Sequence, residues 1–254
     1  MSEAEPPVRA PPAWDEATLR APHTQADKAE RVQAMFDAIA PTYERVNTVA
    51  SLGQDAGWRR AAVRAAGVRA SDIVLDVCCG TGDMVRAFAA HHPPPRQIIG
   101  LDFAAQMLAR GTYAGTPTPI HLLRADALRL PLADGSVDIV SCAFGVRNFQ
   151  DLRAGLCEMQ RVLRPGGRVV LLEFALPERA LFRWGYRFYT QVIVPRLGVW
   201  ISRDRSGAYR YLPRSIQTFE RREQLAAVLR DVGFERVTTE SLNLGGVVIY
   251  RGQR

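Results

Sequence analysis

Leu75-Asp-Val-Cys-Cys-Gly-Thr-Gly-Asp83 joins an apolar run to a helical pattern and is the strongest chemical signal in the chain. Glycines at such a turn, here Gly80 and Gly82 flanking Thr81, let the backbone approach a bound group closely. The first N–H groups of the helix that follows have no intrahelical partner, so the turn suits a nucleotide-type cofactor. A tight strand-to-helix turn without a ligand is the plain alternative for this motif alone. A dinucleotide fingerprint requires a third small residue, where Gly80-Thr-Gly-Asp-Met-Val85 has a β-branched one. Asp102 ends a second apolar run 20 residues past Gly82, where a carboxylate can accept both hydroxyls of a ribose. Asp126, followed by Ala127, ends a third and can accept from an adenine amino group. Either carboxylate alone is as readily a solvated strand end or a helix cap. Together with the glycine turn, and with no lysine or arginine there to neutralise a phosphate, they suit S-adenosylmethionine, which has a ribose, an adenine and a cationic sulfonium.

The elements that must position these residues are legible from periodicity. The runs 73–77, 97–102, 120–126, 137–141 and 168–173 are short and apolar, and most are separated by helical patterns such as 81–90 and 152–163. Strands apolar on both faces that alternate with helices predict a parallel sheet between two helix layers. Pro165-Gly-Gly167 reads as a turn into the fifth strand, and two last strands near 235–242 and 246–250 are close enough for a hairpin, which predicts an antiparallel strand at or near one edge. Upstream, Val32, Met35, Phe36 and Ile39 recur at helical spacing until Pro41, and a second helix is predicted from about Gln54 to Ala66, closed by Gly67. Residues 1–26 are rich in Pro and Ala without apolar periodicity and read as a mobile tail. The expected organisation is a tail (1–26), N-terminal helices covering the site (27–70), and a catalytic domain (71–254) with a cap insertion at 179–222.

Composition narrows the class further. The chain has 254 residues, 47% apolar and 23% charged, which excludes disordered, collagenous and disulfide-scaffold classes. No run reaches the roughly 18 apolar residues of a spanning helix, and the N-terminus lacks the apolar core of a signal peptide, so the expected location is the cytoplasm. Cys78, Cys79, Cys142 and Cys157 have no metal-ligand spacing, and no metal is expected. His23, His91, His92 and His121 offer no persuasive general base. Between Arg179 and Arg222 ten arginines face Asp204 and Glu220, which accounts for the net charge of +7. The same window carries nine of the 21 aromatic residues.

Longer stretches are more specific. Val74 to Asp83, Ala125-Asp-Ala-Leu-Arg-Leu-Pro131, Ala143-Phe-Gly-Val-Arg-Asn148, Arg161-Val-Leu-Arg-Pro-Gly-Gly167, Leu172-Glu-Phe174 and Tyr209-Arg-Tyr-Leu-Pro-Arg-Ser-Ile216 resemble the quinone-biosynthesis C-methyltransferases, over about 31–252. Members methylate demethylmenaquinol or the methoxy-polyprenyl-benzoquinol of ubiquinone synthesis. The resemblance implies the α/β class I methyltransferase fold, Rossmann-like with seven strands, and S-adenosylmethionine as donor held by Thr81, Asp102, Asp126 and Ala127. Where some relatives have Ser, this chain has Ala143, which leaves only a backbone contact there. Cys78-Cys79 is similar to a pair often seen on the menaquinone side, which tilts the expected substrate toward demethylmenaquinol.

Methyl transfer to a ring carbon requires an electron-rich quinol, hence positioning, a phenolate stabiliser or proton acceptor, and exclusion of water. Arg147 is the expected phenolate stabiliser or water holder, and Asn148 the group that orients a quinol oxygen. The alternative pairs Arg147 with a carboxylate and makes Asn148 the cap of the helix at Asp151. Tyr43, Tyr209 and Tyr211 are expected to bond the ring, or else simply to pack. An isoprenoid substrate comes from the bilayer, so the 179–222 window is expected to line a tail channel and to rest peripherally on anionic lipid at the inner face of the membrane. A solvated lid explains that window as well; a nucleic-acid surface is disfavoured because no recognised module is present. Other class I methyltransferases, RNA enzymes included, and a non-catalytic quinone carrier are the competing functions.

Overall fold

The computed structural model describes residues 14–113, 115–202 and 206–254. Within them β1 (Ile73–Val77), β2 (Gln97–Asp102), β3 (Ile120–Arg124), β4 (Val137–Ala143), β5 (Leu163–Phe174), β6 (Glu235–Leu242) and β7 (Val247–Gln253) form one sheet in the order β3-β2-β1-β4-β5-β7-β6. β1 to β5 pair in parallel, and β7 enters antiparallel between β5 and β6. This is the sheet that the apolar runs predict, with the hairpin at one edge. Pro165-Gly-Gly167 belongs to β5 instead of preceding it, and the Gly166 N–H bonds to the Arg254 carbonyl.

Helices occupy both faces and one end. They are α1 (Glu16–Leu19), α2 (Lys28–Ile39), α3 (Tyr43–Ala50), α4 (Asp55–Ala66), α5 (Asp83–Ala89), α6 (Ala105–Leu108), α7 (Leu152–Val162), α8 (Ala180–Phe188), α9 (Val194–Ser202), α10 (Ala208–Thr218) and α11 (Arg222–Asp231). A π-helical turn, Tyr189–Ile193, joins α8 to α9. Successive side chains of a strand point to opposite faces. On β1, Leu75 and Val77 therefore pack with Leu156 and Met159 of α7 and Leu225 of α11, while Val74 packs with Val63 of α4 and Phe88 of α5. A third apolar cluster, with Val32, Met35, Val46, Tyr209 and Tyr211, holds α2, α3 and α10 together over the C-terminal ends of the strands. Strand ends are where an open α/β sheet places ligands.

The reading of residues 1–26 as a mobile tail is corrected over the part described; residues 1–13 lie outside it. Trp14 is 1% exposed with its ring 4.4 Å from that of Tyr211, and its N–H bonds to the Ser206 carbonyl. Asp15 and Thr18 form a capping box that starts α1, whose Leu19 is buried. One large aromatic side chain and a cap order this segment, which is too short to show a period. Periodicity also missed α3: Pro41 ends α2, but Tyr43 opens another helix two residues later.

Candidate active site

The loop after β1 runs through left-handed backbone at Cys78, Gly80 and Gly82 (φ +57°, +57° and +89°). A Cβ on Gly82 would sit 2.3 Å from the Tyr113 hydroxyl, whereas one on Gly80 would meet nothing within 4 Å. Glycine is thus required at Gly82 by crowding, and at Gly80 the backbone lies open to the cleft beside it. Asp102, at the end of β2, accepts the Gly80 N–H on Oδ2 and the Ala104 N–H on Oδ1, each at 2.9 Å. Burial pushes this carboxyl up to about 6, against the pull of those N–H groups.

Gly80, Asp102, Asp126, Ala127, Ala143 and Asn148 line one cleft, together with Tyr43. Asp126 is exposed, and its Oδ1 accepts the Leu128 N–H at 2.9 Å. Thr81 and Gly82 do not line the cleft, and the Thr81 hydroxyl is buried without a partner among the described residues. Among the described residues the lining carries two carboxylates and no lysine, arginine or histidine. An open glycine backbone with that charge fits a nucleoside that bears a cation and no phosphate, so S-adenosylmethionine fits these residues.

A second cavity of about 480 Å³, within the range of small-molecule sites, adjoins the first. Tyr43, Arg147, Tyr209 and Tyr211 line it, and Phe36, Tyr43 and Phe144 border both spaces. The fifth expected polar group, Asn148, faces the cleft, so Arg147 and Asn148 stand on the two sides of one boundary.

The turn after β4 builds that boundary. Phe144 has φ +59°, and a short 3₁₀ turn, Val146–Asn148, follows Gly145. Arg147 Nη1 donates to Glu173 Oε1 at 2.8 Å and to the Phe144 carbonyl, and Glu173 also accepts the Phe174 N–H at 2.9 Å. Arg147 and Glu173 are 5% and 0% exposed. Burial pushes the Glu173 carboxyl up and the Arg147 charge pulls it back. Arg147 does pair with a carboxylate, yet it lines the cavity, and its buried Nε has no partner among the described residues. Asn148 is not a helix cap: Asp151 caps α7 through the Ala154 N–H. The Asn148 amide instead donates to the Phe144 carbonyl and accepts from the Tyr211 hydroxyl at 3.0 Å.

Sequence reasoning missed three participants. Glu173 carries a signal, a lone carboxylate in a strand apolar on both faces. Lys28 carries another, since it precedes Val32 and Met35 on the buried stripe of α2. His23, assigned to a tail, bonds the Ser215 carbonyl of α10, a contact with no local trace.

Among solved structures the chain is similar to an S-adenosylmethionine-dependent methyltransferase of Thermotoga maritima, described as a possible histamine N-methyltransferase (TM-score 0.59, 19% identity, 86% of this chain and 97% of that one). It is also similar to the [4+2]-cyclase SpnF (TM-score 0.63, 16% identity, 88% and 94%). These likenesses show the fold. Among curated proteins it is 45% identical to a demethylmenaquinone methyltransferase of Deinococcus radiodurans over 90% of this chain and 94% of that one. It is 40% identical to the ubiquinone/menaquinone biosynthesis C-methyltransferase UbiE of Geotalea daltonii, over 90% and 98%. The model of the ubiE/COQ5 methyltransferase family matches residues 24–254, nearly all of what is described above, and the chain belongs to that family.

Proposed function

We propose that this protein transfers a methyl group from S-adenosylmethionine to a ring carbon of a polyprenyl quinol, demethylmenaquinol in the first place. The observation that carries the reading is the turn 144–148, whose Arg147 and Asn148 stand between a cation-accepting cleft and a large apolar cavity. When bound, the cofactor supplies an electrophilic methyl on a sulfonium. Asp102 and Asp126 would hold its ribose and adenine, with Ala127 and Ala143 against the ring and the backbone. Asn148, its carbonyl fixed by Tyr211, would offer an N–H to a quinol oxygen, and Arg147 would stabilise the oxygen as it loses its proton. Tyr43 and Phe144 would stack near the ring and keep water out.

The cavity mouth supports a peripheral contact with lipid. Of the nine large exposed hydrophobic residues among the described residues, Leu52, Leu181 and Leu244 line the cavity, and Val49, Trp184, Phe188, Val199 and Trp200 lie on α3, α8 and α9 beside it. Exposed Arg187 and Arg196 flank them. Aromatic and basic residues together fit an anionic bilayer from which an isoprenoid chain would enter. Among the described residues no helix is long and apolar enough to cross a membrane. Co-sedimentation with vesicles containing phosphatidylglycerol, lost in the double variant W184E/W200E, is the expected outcome.

The deciding experiment is transfer of labelled methyl to chemically reduced demethylmenaquinone and, in parallel, to the reduced methoxy-polyprenyl-benzoquinone. Label on a ring carbon of the naphthoquinol supports the first reading, and label on the benzoquinol alone moves the assignment to ubiquinone synthesis. No label on either, in protein that binds the cofactor, removes the quinol reading.

A further inference from the structure

Lys28 is the only lysine in the sequence, and it is 3% exposed. Its ammonium donates to the Phe149 carbonyl at 2.5 Å and lies 3.3 Å from His23 Nδ1. His23 Nε2 lies 3.0 Å from the Ser215 carbonyl, which can only accept, so the imidazole carries its proton on Nε2 and Nδ1 accepts from the ammonium. Burial, more than the nearby Lys28 charge, pushes this imidazole down to about 4, which keeps it neutral. Gln150 adds two stitches: its Oε1 accepts the Ala29 N–H and its Nε2 donates to the Gln25 carbonyl. The start of α2 is thereby fastened to the turn that bears Arg147 and Asn148.

The charges do not balance. Glu173 of β5 neutralises Arg147 at 2.8 Å, His23 is neutral, and α10 contributes the Ser215 carbonyl and the Tyr211 phenol but no carboxylate. Among the described residues no carboxylate is paired with Lys28. An ammonium without a counter-ion is costly to bury, and burial together with repulsion from Arg147 pushes its amine down to about 8. Such a charge, held out of water, acts strongly on any anion that forms nearby.

We propose that Lys28 is a positioning residue of the methyl-acceptor site: it holds the Arg147-Asn148 turn through the Phe149 carbonyl and supplies the uncompensated positive charge that favours an oxyanion in the adjoining cavity. The inference rests on the reading of that cavity as a quinol site. It goes beyond it by assigning the charge to a residue that touches neither cavity nor cleft. Reciprocity then makes a specific demand: an anion bound in the cavity must raise the affinity of Lys28 for its proton, and a neutral ligand of the same shape must not.

A single lysine makes this measurable in the full chain. Labelled with lysine carrying ¹³C at Cε, the protein has one side-chain resonance to titrate, free and with two probes. These are 2-hydroxy-1,4-naphthoquinone, an anion at neutral pH, and its neutral 2-methoxy ether. The expected midpoint is near 8 in the free protein. It rises by about one unit with the hydroxyl probe and stays put with the ether; K28M binds the anion about ten-fold more weakly and the ether unchanged, and K28R restores the preference. A ten-fold preference and a one-unit rise are one coupling read from its two ends. A purely structural lysine would move neither reading. A free midpoint at the ordinary 10.5, equal shifts with both probes, or an anion preference kept in K28M would overturn the proposal and leave quinol methylation standing. Failure of both probes to bind, together with failure of quinol methylation, would remove the cavity reading and this inference with it.

Discussion

The Tyr211 hydroxyl donates to Asn148 Oδ1 across 3.0 Å, tying α10 to the turn after β4. With its Nδ2 also bonded to the Phe144 carbonyl, the amide cannot flip, and one N–H is left over for a ligand. Y211F removes that lock and little packing. Its expected effect is a fall in kcat of about ten-fold, the loss of one oriented hydrogen bond, with cofactor affinity changed less than two-fold. Steady-state kinetics and calorimetric cofactor titration check it, and an unchanged kcat would separate Asn148 orientation from the reaction.

Arg147 and Glu173 form a buried ion pair at 2.8 Å. Removing one partner leaves the other charged and unpaired, at a cost of about 3–5 kcal/mol. E173A is expected to lose that much in urea unfolding, and E173Q, which keeps an acceptor for the guanidinium, about half of it. R147A should lose methyl transfer even in preparations whose cofactor binding is intact.

Asp76, in the middle of the sheet, accepts from Ser141 Oγ at 2.5 Å, and its other oxygen is buried without a partner among the described residues. Burial pushes this carboxyl up to about 7, against the Ser141 bond and from an ordinary 3.8. The folded protein therefore holds the proton more tightly than the unfolded chain. This group's contribution to stability is present at low pH and declines as pH rises from about 4 through about 7, by at most about 1.4 kcal/mol per pH unit. Asp102, raised to about 6, acts in the same sense. D76N, neutral throughout, is expected to flatten the difference between urea midpoints at pH 5 and pH 8, and an unaltered slope would assign it elsewhere.

Trp14 fills the space behind Tyr211, with ring centroids 4.4 Å apart. W14A opens a cavity there, with an expected loss of about 3–5 kcal/mol. Because Tyr211 loses its backing, kcat should fall along with stability. Thermal unfolding and kinetics on the same sample test whether the segment before α1 supports the site.

The strands and their order of appearance were legible because a strand covered on both faces needs a largely apolar run, and β1, β2, β4 and β5 each show one; β3, at the sheet edge, is half-buried at best and was marked by Ile120, Leu122 and Leu123 alone. The cofactor cleft was legible for a related reason: left-handed backbone at Gly80 and Gly82 and carboxylates at successive strand ends are local requirements, written in consecutive residues. Arg147 and Asn148 were legible as residues but not as partners. Whether Arg147 pairs with Glu173, 26 residues on, or Asn148 with Tyr211, 63 residues on, depends on how β5 and α10 are brought beside β4. The same holds for Lys28 and His23, whose bonds to Phe149 and Ser215 span 121 and 192 residues. Local chemistry decides which residues can bend, cap or ionise. Only the tertiary structure decides which charges are neutralised and which are left to act on a substrate, because electrostatic partnership depends on distance and burial, and neither is a property of sequence spacing.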